Sequence, residues 1–358
     1  MIDFDVIVVG GGPAGTASAL ECSKLGLRVL LMERGRRDRH KPCGGVLPPP
    51  CANVIRETFG MDIPRSVICS PETLGLYYVP PSGRKNGGCM RNYRLLNINR
   101  DLFDQWLRDL AEESGVQVWY GTEFLKLRLS EPIRVLAKKD EDTIKVTTRY
   151  LIGADGVYSR VRRESYEEIK IWTLPVLQEH WRAEGDFDEC FYAFFRGDIS
   201  PTYAYVIPKN ELYVVGVGVP ENHPTPISTA INGFKEWLVE EFAFKASSLE
   251  RREAWAIPYG FVFEGRGNVI LAGDAAGFCN SLSGEGVRLA IESGVAAGSA
   301  IQEAISYDRS LATIYIKHAN WITSFVRQTY QFVTSLTDED REEFVKSELA
   351  RIPFLEEL

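Results

Sequence analysis

Three features of the sequence predict an α/β fold that carries a second lobe on a mixed β-sheet. The apolar run Phe4-Asp5-Val6-Ile7-Val8-Val9 leads into the turn Gly10-Gly11-Gly12-Pro13-Ala14-Gly15 and on to small residues suited to a close-packed helix, Ala17 and Ser18. Two later apolar runs also end in glycine and aspartate, at Gly153-Ala154-Asp155-Gly156 and Ala272-Gly273-Asp274-Ala275. Between those two, over residues 165–256, aromatic-rich segments of strand character alternate with Gly-Asp, Pro-Lys-Asn and Pro-Glu-Asn turns.

The opening unit, 6–23, has the spacing of a Rossmann-like cradle for a dinucleotide. Gly10 permits the tight turn, Gly12 admits a pyrophosphate to the backbone, and Gly15 lets the helix lie close on the sheet. Pro13 and Ala14 start that helix, whose N–H groups and dipole face the phosphates. Glu33, at the end of the next apolar run, is placed to accept ribose hydroxyls, with Arg34 beside it. A basic stretch follows: Arg34, Arg36, Arg37, Arg39, His40 and Lys41. It reads either as a solvated loop or as a docking surface for an anionic substrate or redox partner. It runs into Pro42-Cys43-Gly44-Gly45 and the triple proline Pro48-Pro49-Pro50.

Residues 74–79 have strand character and 82–88 that of a polar loop. Over 101–114, Phe103, Trp106, Leu107, Leu110 and Ala111 recur at helical spacing, and Gly115 terminates the run. The sheet resumes at 116–120, and 124–151 reads as a β-meander turning at Asp140-Glu141-Asp142. After a buried strand at 268–271, the spacing predicts helices at 284–306, 311–336 and 339–350. In the first of these Ala290, Gly294 and Gly298 make a narrow face for pressing on the sheet. The expected division is 1–70, 94–164 and 257–306 for the nucleotide-binding domain, 71–93 and 165–256 for a substrate-binding sheet domain, and 307–358 for C-terminal helices.

A chain of 358 residues can bury a large core in two packed lobes. Its 41 Lys and Arg against 49 Asp and Glu give a net charge of −8, which argues against nucleic acid as a partner. Seven cysteines without a C-x-x-C pair or other metal spacing predict a reducing compartment and no metal. The first strand starts too near Met1 for a signal peptide, and no apolar run approaches the roughly 18 residues of a membrane span. A cytoplasmic protein is expected, with peripheral contact at a membrane surface left open.

The three glycine motifs, with Ser283-Gly284-Glu285-Gly286-Val287 after the last, resemble the flavoprotein class typified by p-hydroxybenzoate hydroxylase over nearly the whole chain. The resemblance implies FAD as cofactor. It implies that Asp274, next to Gly273, binds the ribityl chain, and that Asp155 and Gly156 shape the turn beside the pyrophosphate. Gly284, Gly286 and Val287 would aim helix N–H groups at the pyrimidine edge of the flavin, an anion site that favours the reduced form. Arg100 matches an FAD-contacting arginine of the class, and Phe124 stands where a backbone amide meets the adenine.

Two segments narrow the branch. Lys41-Pro42-Cys43-Gly44-Gly45 resembles the K-x-C-G-G segment of geranylgeranyl reductases, where the cysteine lies beside the flavin ring. Pro201-Thr202-Tyr203-Ala204-Tyr205-Val206-Ile207-Pro208-Lys209 is similar to their P-x-x-Y-x-W-x-F-P-K signature, with Tyr205 for Trp, Ile207 for Phe and the first proline displaced by one position. The implied activity is reduction of carbon–carbon double bonds in a geranylgeranyl or other polyprenyl lipid. An isolated alkene has no carbonyl to take up charge, so it needs a hydride from flavin N5 on one carbon and a proton on the other, in a water-poor tunnel. Cys43 is the candidate proton source, or else a small thiol packed under the ring. Tyr205 is the second catalytic candidate. With Tyr203 and Pro208 it would wall the tunnel and hold the lipid, although such strand aromatics also serve as core. With no second G-x-G-x-x-G, electrons are expected from transiently bound NAD(P)H or from a reduced ferredoxin-like carrier on the basic stretch. Two rivals stand beside this reading. One is a monooxygenase or halogenase, because 203–208 also resembles a halogenase W-x-W-x-I-P pattern, without a counterpart to the catalytic lysine. The other is a flavin-holding protein without turnover.

Overall fold

The computed structural model describes residues 2–350, the side chain of Arg91 excepted, so the end of the segment 307–358 lies outside the described residues. β1 (Phe4–Val9) feeds α1 (Pro13–Lys24) through the glycine turn, and β2 (Val29–Met32) follows. The short β3 (Val46–Leu47) precedes α2 (Pro49–Phe59). Here the triple proline opens a helix, because Pro49 lacks only an N–H that the first turn leaves unpaired, and Gly60 closes it at φ 72°. Next come β4 (Ile68–Val79), β5 (Gly88–Ile98), α3 (Arg100–Glu113) and β6 (Gln117–Trp119). The meander is β7 (Thr122–Arg128), β8 (Ile133–Lys139) and β9 (Asp142–Gly153), followed by α4 (Arg160–Ser165). Then the chain forms β10 (Thr173–Glu184), β11 (Cys190–Phe194), β12 (Ala204–Lys209), β13 (Leu212–Gly218), α5 (Ile227–Phe242) and β14 (Lys245–Pro258). It ends in β15 (Gly265–Arg266), β16 (Val269–Leu271), α6 (Val287–Tyr307), α7 (Leu311–His318), α8 (Asn320–Ser335) and α9 (Asp338–Ala350).

One sheet has the order β15-β16-β9-β1-β2-β6, parallel from β16 to β6, with β8 and β7 continuing from β9. Its central strands are continuous apolar runs with no exposed surface at Val6, Ile7 and Val8, as strands covered on both faces require. The other sheet, β14-β10-β13-β12-β11-β4-β5-β3, is antiparallel except where β11 meets β4. It takes in more chain than 71–93 and 165–256, since β4 starts at Ile68, β5 runs to Ile98 and β3 joins its edge.

Three expectations change. The stretch 165–256 contains α5, whose Ala230, Ile231, Phe234, Leu238 and Phe242 are buried at helical spacing against Tyr192, Phe194, Val206 and Val215. The helix expected over 311–336 is two helices that turn at the buried Ala319. The narrow face of α6 presses on α1 rather than on the sheet: a Cβ at Gly294 would stand 2.5 Å from the Ala14 carbonyl oxygen and 2.8 Å from Ala17 Cβ.

With α5 on one face of the second sheet, the face bearing Phe191, Phe195 and Tyr203 is packed by α9, through Phe344, Val345 and Leu349. Among the described residues no helix is long and apolar enough to cross a membrane, and no group of three or more potential ligands could hold a metal.

Candidate cofactor and substrate site

The three glycine motifs meet because they follow adjacent parallel strands. β1, β9 and β16 end side by side: the Ala154 N–H donates to the Val9 carbonyl (2.8 Å) and the Ala272 N–H to that of Gly153 (2.9 Å). Ligands of open α/β sheets bind beyond such carboxyl ends. Gly10, at φ 106°, lies so close to the Ala154 carbonyl that a Cβ would overlap it. At Gly12 an added Cβ would meet nothing nearer than Arg39 Nη2 at 4.0 Å, and at Gly156 nothing within 4 Å.

Asp274 faces the same place. Its carboxylate accepts no hydrogen bond from a described residue, and burial raises its pKa, against the pull of Lys41 and Arg100. A Cβ at Gly286, the residue before the N-terminal turn of α6, would stand 3.5 Å from Asp274 Oδ1. An unpartnered carboxylate, a helix N-terminus and two open turns are what a polyhydroxylated, anionic dinucleotide needs. Asp155 is differently employed. It accepts from Ser159 Oγ (2.5 Å) and from the N–H groups of Arg160 (2.6 Å) and Val161 (3.0 Å), which ties the turn to the start of α4. Burial nonetheless leaves its pKa raised. Glu33 already holds the Gly11 N–H (3.0 Å), the Gly35 N–H (2.7 Å) and Arg39 Nε (3.0 Å), so it braces the glycine turn. Arg34 is exposed, and Phe124 is buried with its carbonyl accepting from Arg160 Nη1 (3.1 Å).

Sequence reasoning missed the buried ion cluster beneath this site. Asp104, 1% exposed, accepts from Arg100 Nε (3.1 Å) and Nη2 (3.0 Å) and from Arg39 Nη2 (3.1 Å). The wholly buried Arg108 donates to the carbonyls of Gly11 (3.0 Å) and Arg37 (2.7 Å). The signal was present: positions 100, 104 and 108 are one face of a helix. The basic stretch is correspondingly a clamp on α3. Arg37 pairs with Asp109 (2.5 Å) and Glu112 (2.9 Å), Arg39 with Glu33 and Asp104, and His40 bridges Asp101 (2.7 Å) and Glu253 (2.6 Å). Arg34 and Arg36, by contrast, stay exposed to solvent.

Cys43 lies above that cluster, half-buried, its Sγ accepting from Arg100 Nη1 (3.3 Å) and the Gly45 N–H (3.4 Å). The loop 43–45 rests on Lys209. Its Nζ donates to Asn97 Oδ1 (2.6 Å) and to the carbonyls of Ile98 (2.8 Å) and Gly45 (3.2 Å), and burial lowers its pKa. Pro208 holds the same corner, its carbonyl accepting from Asn97 Nδ2 (3.1 Å).

The Tyr205 ring crosses Gly216 of the neighbouring strand, where any Cβ would overlap it. Its Oη donates to Gln178 Oε1 (2.9 Å), and Gln178 Nε2 donates to Glu253 Oε2 (2.7 Å). Glu253 also meets Arg251 Nε (2.8 Å) and His180 Nε2 (3.4 Å). Burial pushes the Glu253 carboxyl up, but Gln178, Arg251, His180 and His40 outweigh it and hold it below the usual range. An ionised carboxylate only accepts, so the amide must turn its nitrogen to Glu253 and its oxygen to Tyr205, and the phenol must donate. Burial raises the Tyr205 pKa and keeps the phenol neutral. Tyr205→Phe should therefore lower stability by about 1–3 kcal/mol, the penalty of an unpaired buried acceptor, read as a shift in the urea midpoint. Tyr203 Oη donates to the Ser283 carbonyl, and its ring lies edge-on to Phe191 at 5.9 Å. The Tyr205 ring stacks on Phe191 at 6.1 Å. Gln178, His180 and Glu253 carry no sequence signal, because Gln178 and Glu253 meet as a cross-strand pair of β10 and β14, 75 residues apart.

The sequence model of the FAD binding domain family matches residues 3–318. The chain belongs to that family. This FAD-binding protein is 30% identical to Protein CbrA of Shigella sonnei (strain Ss046) over 305 residues, 82% of either chain. A geranylgeranyl bacteriochlorophyll reductase-like protein of Thermoplasma acidophilum shares its fold with a TM-score of 0.81, at 20% identity over 97% of this chain and 91% of that one. The myxobacterial chondrochloren halogenase CndH does so with a TM-score of 0.76, at 18% identity over 98% and 90%. The fold is thus the mixed α/β type with an FAD-binding domain like that of p-hydroxybenzoate hydroxylase, and FAD is the cofactor. The unpartnered Asp274, the start of α6 and the open turns at Gly12 and Gly156 fit it.

Proposed function

We propose that this FAD-dependent oxidoreductase reduces carbon–carbon double bonds of a geranylgeranyl or other polyprenyl lipid. Bound FAD supplies the hydride. In this reading the turn from Gly10 to Gly15, the start of α6 at Gly286 and Val287, and Asp274 hold the coenzyme, with Arg100 and the Cys43-Gly44-Gly45 loop beside it. The observation that carries the reading is the wall next to that loop. Cys43 lies within electrostatic reach of Tyr203 and Tyr205, whose hydroxyls are turned away to Ser283 and Gln178, so the rings offer apolar surface. Such a surface suits an isoprenoid chain and offers little to a polar aromatic acid. Cys43 donates the proton, and the Arg100 guanidinium, 3.3 Å from the sulfur, balances the charge left behind. Lys209, with its ammonium committed to three oxygens, supplies no free amine for halogenation.

The test is to reduce the purified holoprotein without oxygen and follow its reoxidation. Rapid reoxidation by geranylgeranyl lipids, with a saturated product, is the expected result. Rapid reoxidation by air with an oxygenated or halogenated product would transfer the assignment to the monooxygenase or halogenase reading, and indifference to every acceptor to a flavin holder. Cys43→Ala should keep FAD bound while turnover falls roughly a hundredfold or more. Unchanged turnover removes Cys43 from the proton's path.

A further inference from the structure

The aromatic wall beside Cys43 does not stop at Tyr203. From Tyr205 the rings continue through Phe191 (6.1 Å) and Tyr203 (5.9 Å) to Phe195 (5.9 Å), and from there to Phe344 of α9 (5.4 Å). Phe344 in turn meets Phe332 of α8 (5.8 Å), which is 41% exposed, so the row of rings reaches solvent. α9 covers the outer part of this row with little apolar surface. Phe344 and Leu349 are only half-buried, and Val345 is its one apolar residue with no exposed surface. α5 holds to the opposite face of the same sheet through five buried residues. Elements held by few buried apolar contacts are the ones that open locally.

α9 can also move as a unit. Two residues, Leu336 and Thr337, join it to α8. Thr337 caps it from within: its N–H and hydroxyl donate to Asp340 Oδ2 (2.8 and 2.7 Å), and its Oγ1 accepts from the Asp340 N–H (3.1 Å). The first turn therefore stays satisfied when the helix tilts. The near end is pinned to the loop after β11, where Asp338 Oδ1 accepts from the Gly197 N–H (3.0 Å) and Arg341 Nη2 donates to the Pro201 carbonyl (2.9 Å). Beyond that pivot Glu342 accepts from the N–H (3.1 Å) and hydroxyl (2.5 Å) of the exposed Ser82, and Leu349 rests on Gly88, where a Cβ would stand 3.2 Å from it. We propose, on the reading that a polyprenyl lipid is the substrate, that α9 is the lid of the prenyl site and Phe344 its gate. The isoprene units far from the reacting bond lodge between α9 and the rings of Tyr203 and Phe195, and they enter when α9 lifts about Leu336 and Thr337. Phe344, Val345 and Leu349 offer this chain carbon alone, so it replaces their contacts with the sheet without leaving a polar group unpaired. A single isoprene unit needs only the wall at Tyr205 and binds without that motion.

The test mixes the oxidised holoprotein with detergent-dispersed geranylgeraniol or with the five-carbon alcohol prenol and follows the flavin absorbance by stopped flow. Ser82→Ala removes the tether without touching the rings. Geranylgeraniol should associate with it roughly 2- to 10-fold faster than with the parent, the effect of losing a hydrogen bond that holds the closed state, while prenol is unchanged. Leu349→Ala should act in the same direction, and Phe344→Trp, which enlarges the gate, in the opposite one. Parental rates for geranylgeraniol in both Ser82→Ala and Leu349→Ala, an equal acceleration of prenol, or failure of geranylgeraniol to bind would overturn the lid. With the flavin oxidised no reduction takes place, so the result is separate from the reaction: a lid that opens for geranylgeraniol in a protein that never saturates it would strike the proposed reduction and leave the lid standing.

Discussion

Replacing Asp104 by Ala should remove about 3–5 kcal/mol of stability from the nucleotide-binding lobe, the usual result of deleting one partner of a buried ion cluster. Asp104 is the counter-ion shared by Arg100 and Arg39, and the wholly buried Arg108 lies next to them. Without the carboxylate, buried guanidinium groups face one another with only Glu33 opposite. Burial pushes the Asp104 carboxyl up, but Arg100, Arg39 and Arg108 outweigh it and hold it below its usual range. The folded protein then binds this proton less readily than the unfolded chain does. The contribution is complete above about pH 4 and disappears as pH falls through the depressed value. Urea titration at pH 7 should give a much lower midpoint for Asp104→Ala, and the gap to the parent should shrink on acidification towards pH 2. A gap that persists undiminished at low pH would mean that the loss is one of packing. Because Asp104 also aims Arg100 at Cys43, the variant should lose the order of the loop that carries the sulfur.

What the sequence disclosed was local. The turns at Asp155 and Asp274 were legible because each combines a buried strand, a glycine and an acid within a few residues, the turn at Gly10 because its glycines follow a buried strand and Glu33 ends the next apolar run, and all three because in order they identify adjacent parallel strands. α3 was legible from its period, but its buried Arg100-Asp104-Arg108 face was not weighed. The helix α5 was hidden because Phe234, Trp237 and Phe242 continue the aromatic character of the strands before it, although Ala230, Ile231, Phe234 and Leu238 keep helical spacing. No helix was expected at α2, yet prolines at the first turn of a helix remove no hydrogen bond. The remainder depends on which strands adjoin. Glu253 reaches Tyr205 only through Gln178, and His40 reaches Glu253 only because the Cys43 loop crosses to the second sheet. Gly216 looks like an ordinary strand glycine until its neighbours are known: it admits the Tyr205 ring.

Asp274→Asn should move two observables in opposite directions, which no ordinary core substitution would do. In the protein stripped of flavin, burial without a hydrogen-bond donor raises the Asp274 pKa. The folded chain therefore binds this proton more readily than the unfolded chain, and stability declines as pH rises through the elevated value, with the penalty complete above it. Asparagine does not ionise, so the stripped variant should melt higher than the stripped parent at pH 7, and the difference should vanish below about pH 4. FAD binding should respond in the other sense. A hydrogen bond to a charged group contributes about 1.5–3 kcal/mol, so with Asp274 holding the coenzyme as proposed, losing its charge should weaken FAD affinity by roughly 10- to 150-fold, measured by flavin fluorescence titration. The strain of an unpartnered carboxylate in the empty cradle and the affinity of the filled one are then the same interaction seen from two sides. If Asp274→Asn binds FAD within twofold of the parent, the carboxylate does not face the coenzyme. If the stripped variant melts lower, the carboxylate has a stabilising partner after all, and the cradle is not preorganised around an unmet acceptor.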